Sequence, residues 1–153
     1  MIVITVVDPD QGRHRFIRTC LERYVAGHEA GFPVRFYLAS DVSNVMNGWR
    51  MFEENALIYR EPFFLFLLVA DVLGDHLEAE SFLMLAQRRL GPALDKSVIL
   101  SDEIEYPFVI VNEASVPVLD LRFPEARYEL CDRVREFLQY ANAQHEVVQR
   151  GSS

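Results

Sequence analysis

The chain has 153 residues, half of them apolar, enough for one domain with a real core and too apolar for a disordered chain. Its formal charge of −8 argues against nucleic acid, whose phosphates demand a basic face, and against an anionic membrane; a basic protein partner is compatible. Two cysteines, Cys20 and Cys131, are too few and too separated for a disulfide scaffold or a cysteine-rich metal site.

Residues 2–7, "IVITVV", are apolar and β-branched, the pattern of a strand buried on both faces. The stretch "MIVITVV" lacks the basic region and cleavage site of a secretory signal, so the expected compartment is the cytoplasm. Next comes "DPDQGRHRF", and its local chemistry is that of a helix start. Asp8 is placed to cap, Pro9 to take the first helical position, Asp10 to face the positive end of the helix dipole, and Gln11 to complete a capping box. Ile17, Cys20, Leu21, Tyr24 and Val25 then follow helical spacing, with Arg15, Arg18 and Glu22 on the outer face. In "PVRFYLAS", Val34, Phe36 and Leu38 alternate against Arg35 and Tyr37, which predicts a second strand and a parallel β-α-β unit.

The middle reads as helical. "GWRMFEENALIYR" carries Trp49, Phe52, Ala56 and Tyr59 at helical spacing. The apolar run from Pro62 to Gly74 is too short to span a bilayer, which needs about 20 residues, and its Phe/Leu/Ala richness favours a buried helix opened by Pro62. "HLEAESFLMLAQRRLGP" has acids early, arginines late and Gly91-Pro92 as its stop. In the last third, "YPFVIVNEASVPVLDL" predicts a hairpin turning at residues 112–115. A helix follows from Pro124, with Tyr128, Cys131, Val134, Phe137, Leu138 and Ala141 inward. Cys20 and Cys131 both fall on apolar stripes, where a thiolate is disfavoured, and read as core thiols. The domain is expected over residues 1–148, with 149–153 a disordered tail.

The order β-α-β, helices, β-β-α, carried by "VVDPDQGRHRF" and "EYPFVIVNEASVPVLDL", resembles the thioredoxin-like fold with a helical insertion, as in the disulfide oxidoreductases. That resemblance implies an α/β single domain. The Cys-x-x-Cys position is filled by Asp10-Gln11-Gly12-Arg13 and the cis-proline position by Tyr106-Pro107, so only a redox-inactive scaffold is implied. "VVDPD", "LVADVL", "VILSDE" and "FPEARYELCDRVREFL" give a second resemblance, to response-regulator receiver domains. There an acid cluster holds a metal ion, a strand-end Asp accepts phosphate, and a Ser/Thr and a Lys complete the site. The resemblance assigns these roles to Asp8 and Asp10, to Asp71 and to Ser101, with no lysine near Leu121-Arg122.

The four histidines are isolated, and no glycine-rich phosphate loop or nucleophile elbow occurs. Two functional expectations follow. The first is a non-enzymatic interaction module without cofactor or metal, an adaptor or an immunity-type inhibitor. Its partner surface comprises Asp10, Arg13, His14 and Tyr106, extended by Asp102, Glu103 and Glu105. The alternative is a receiver-like phospho-switch or small enzyme using Asp8, Asp10 and Asp71. Whether those three carboxylates converge separates the two.

Overall fold

A computed structural model describes residues 2–26, 34–40, 42, 45–60, 62–73, 77–90, 97–102, 107–111 and 113–151. The elements run β1 (Ile2–Val7), α1 (Gln11–Ala26), β2 (Val34–Ala39), α2 (Val45–Ile58), β3 (Phe64–Ala70), then the short strands β4 (Val72–Leu73) and β5 (Leu77–Glu78). They continue with α3 (Ala79–Leu90), β6 (Ser97–Leu100), β7 (Phe108–Val111), β8 (Ala114–Leu119) and α4 (Pro124–Gly151). β4 and β5 form a small antiparallel pair of their own. The main sheet has the order β2-β1-β3-β6-β8-β7. Every neighbouring pair in it is parallel except β7–β8.

β1 is buried along its whole length because it pairs on both sides and is covered on both faces. Its side chains alternate between two cores. Val3 and Val7 join Trp49 of α2 and Phe82, Leu83 and Ala86 of α3 on one face. Ile2, Ile4 and Val6 join Ile17 and Leu21 of α1 and Leu130, Val134, Phe137 and Leu138 of α4 on the other. The indole N–H of Trp49 donates to the Thr5 hydroxyl at 2.9 Å, satisfying two polar groups that would otherwise be orphaned in that core.

The expected single α/β domain is what the chain forms, and the hairpin lies where the sequence put it. β7 and β8 pair antiparallel, and Glu113, just before β8, takes φ 73. Four expectations need correction. The run after Pro62 is the central strand β3, not a helix, and "SVIL" is the neighbouring strand β6; both are nearly fully buried, and a continuous apolar run carries no period to separate strand from helix. The middle is therefore no helical insertion, and the thioredoxin-like layout fails there. Tyr128 is exposed, its inward place taken by Leu130. The helix α4 runs to Gly151, so residues 149–151 are helical rather than a disordered tail. No helix among the described residues is long and apolar enough to cross a membrane.

Candidate functional site

From β1 the chain crosses to β2 on one side of the sheet, and β3 lies on the other side of β1. The order reverses there, so the crevice outside the carboxyl ends of β1 and β3 is where ligands collect in open α/β sheets. Three polar residues step off neighbouring strands into that edge, each tied back by its own amide. Asp8 N–H donates to the Ala39 carbonyl, Asp71 N–H to Leu100 and Ser101 N–H to Leu119, each at 3.0 Å. The three are thus brought to one edge by strand register alone.

Beside Asp71, the Ser101 hydroxyl donates to Asp71 Oδ2 at 2.8 Å. Ser101 is buried, and Asp71 is half-buried. Asp8 is wholly buried. Its Oδ1 accepts the Asp10 N–H at 2.8 Å and the Arg13 Nη2–H at 3.1 Å. Its Oδ2 lies 2.8 Å from Arg13 Nε, an ion contact in which the N–H is not aimed at the oxygen. Burial pushes the Asp8 carboxyl above its ordinary value, opposed by the Asp10 amide and the Arg13 guanidinium.

The helix cap is Asp10, not Asp8. Asp10 Oδ1 accepts the amides of Gly12 at 2.8 Å and Arg13 at 3.3 Å. Gly12 suits this close cap, since a Cβ there would stand 3.1 Å from Asp10 Oδ1. Asp8 instead bonds the amide two residues on, a turn across Pro9 that delays the helix to Gln11.

A cleft of about 310 Å³ opens at this edge, lined by Asp10, Arg13, Ser101, Asp102, Arg122 and Arg127 among others. Arg122 grips Asp120, with Nη2 2.7 Å from Oδ2 and Nε 3.0 Å from Oδ1, and holds its carboxyl below the usual range. Arg127 donates from Nε to the Leu121 carbonyl at 2.8 Å and lies 5.0 Å from the Phe16 ring centroid. These arginines escaped the sequence reading. Asp8 and Arg13 are five apart, outside the usual helical pairs, and meet only because the helix begins between them.

Of the expected partner surface, Asp10, Arg13 and Asp102 line this cleft, whereas His14 is buried, its Nε2 without a hydrogen-bond partner among the described residues. Glu103, Glu105 and Tyr106 lie outside the described residues. Asp8 and Asp71 do reach the same edge. Among the described residues, however, no group of three or more His, Cys, Asp or Glu side chains is arranged to hold a metal ion. With Asp8 engaged by Arg13 and Asp10 engaged in capping, the residues present do not fit the metal site of a receiver domain.

No protein-family model and no curated protein matches the chain. Among the solved structures that resemble it are the following two. One is the signal receiver domain of an HD domain-containing protein from Pseudomonas fluorescens Pf-5, with TM-score 0.56 and 14% identity, covering 94% of this chain and 91% of that one. The other is the response regulator StyR, with TM-score 0.54 and 17% identity, covering 99% of this chain and 65% of that one. The fold is that of receiver domains. This overturns the thioredoxin-like scaffold, and with it the redox-inactive adaptor or immunity-type inhibitor that rested on it.

Proposed function

We propose that this chain is a receiver-type switch whose phosphoryl acceptor is Asp71. The observation that carries the reading is the Asp71–Ser101 pair: a half-buried carboxylate at the end of the central strand, with a hydroxyl from the next strand 2.8 Å away. In the reaction a carboxylate oxygen of Asp71 attacks the phosphorus of a small acyl phosphate. The bond from phosphorus to the acyl oxygen breaks, and that oxygen leaves on the carboxylate product. The product brings added negative charge and new acceptor oxygens to an edge where Ser101 offers a donor and Arg13 and Arg122 offer cations. Reorientation of Ser101 toward the phosphoryl group gives the switch its local event.

Incubation with acetyl phosphate, followed by phosphate-affinity electrophoresis and mass mapping, tests the reading. A labelled species that maps to Asp71 and vanishes in Asp71→Asn is the expected result. Absence of label, or label that survives Asp71→Asn, overturns it.

A further inference from the structure

Phosphoryl chemistry at a cluster of acids needs a positive charge to hold the acids and the incoming group together. In this chain the charge is already present. Asp8, the acid at the end of β1, has one oxygen shared by the Asp10 amide and Arg13 Nη2 and the other 2.8 Å from Arg13 Nε. The nearer oxygen of Asp10 is occupied by two helix amides, and its other oxygen lies 3.7 Å from the same Arg13 Nε. A magnesium ion demands about six oxygens at roughly 2.1 Å in octahedral array, and reaching Asp8 would mean displacing the guanidinium. A guanidinium is never deprotonated in this setting, and its fork spans a carboxylate as no single ammonium does. Arg13 is also not sealed in. Its side chain is 35% exposed and lines the cleft together with Ser101, whose hydroxyl bonds Asp71.

We infer that Arg13 is the resident cation of this site, standing in for a divalent metal ion on Asp8, and that phosphoryl uptake at Asp71 proceeds without metal. The second half rests on the acceptor role proposed for Asp71, and the first half does not. Arg13 is thus a positioning residue: it fixes Asp8 and offers charge to the cleft, while the bond is made at Asp71.

Two measurements on the full chain separate these halves. Mn²⁺ alone is titrated by water-proton relaxation into the wild type and Arg13→Gln. No saturable binding at millimolar Mn²⁺ is expected for the wild type. Arg13→Gln, with Asp8 released, gains affinity by about tenfold or more. Saturable binding by the wild type, or binding by neither protein, overturns the inference. If Arg13→Gln does not fold, as judged by its thermal melt, the wild-type titration still decides. Acetyl phosphate labelling is then run with EDTA or with Mg²⁺. Equal labelling of the wild type in both is expected, and loss of label in EDTA overturns metal independence while leaving Asp71 as acceptor. No label under either condition overturns the acceptor role, and the Mn²⁺ titration still decides the place of Arg13.

Discussion

At the scale of single residues, the two acids around Pro9 divide labour that their sequence spacing does not separate. Asp10 serves the helix and Asp8 serves the edge of the sheet. Asp10→Ala should therefore cost about 1 kcal/mol of stability, and Asp10→Ser should be nearly neutral because serine accepts the same amides. Urea melts of the two variants check this; equal losses would mean that the negative charge, not the cap, is what matters. The pair was legible as a helix start, yet the reading erred by two residues. Assigning Pro9 to the first helical position is sound local chemistry, but the Asp8 side chain bonds across the proline to the Asp10 amide and pushes the first turn onward. Ser101 and Asp71 were legible as strand-end residues only through the receiver resemblance. Arg13 on Asp8 was not legible, because a contact five residues apart across a turn has no periodic signature.

Among elements, the amphipathic ones were readable and the doubly buried ones were not. α1 and α4 present one apolar stripe each, and Ile17, Leu21, Val134, Phe137 and Leu138 are all buried as spacing predicts. β3 and β6 are covered on both faces, so their sequences lose the alternation by which a strand is recognised. With β3 taken for a helix and β6 not recognised as a strand, the sequence offers four strands and a thioredoxin outline. The docking of α2 on β1 illustrates what such burial demands. Trp49 and Thr5 are both fully buried and satisfy one another. Trp49→Phe leaves the Thr5 hydroxyl without its donor, and Thr5→Val leaves the indole N–H without its acceptor, each at about 1–3 kcal/mol beyond any packing loss. The double variant should lose less than the sum of the two, as denaturant midpoints in a mutant cycle will register. Additive losses would show that the hydrogen bond contributes nothing.

For the molecule as a whole, the reversal of strand order beside β1 opens the crevice at the carboxyl ends of β1 and β3, and two helices pack on each face of the sheet. The same arrangement sets a kinetic condition on the chain. β7 and β8 are neighbours in sequence, but β1 must find β3, aligning Ile2 with Phe64 across everything between them. Closing so long a segment costs entropy before any contact repays it, so the barrier to folding is raised by this one parallel pairing. A small truncation inside it, Ile4→Val, should slow refolding more than it speeds unfolding in stopped-flow chevrons. Faster unfolding with unchanged refolding would place the meeting of β1 and β3 after the barrier instead.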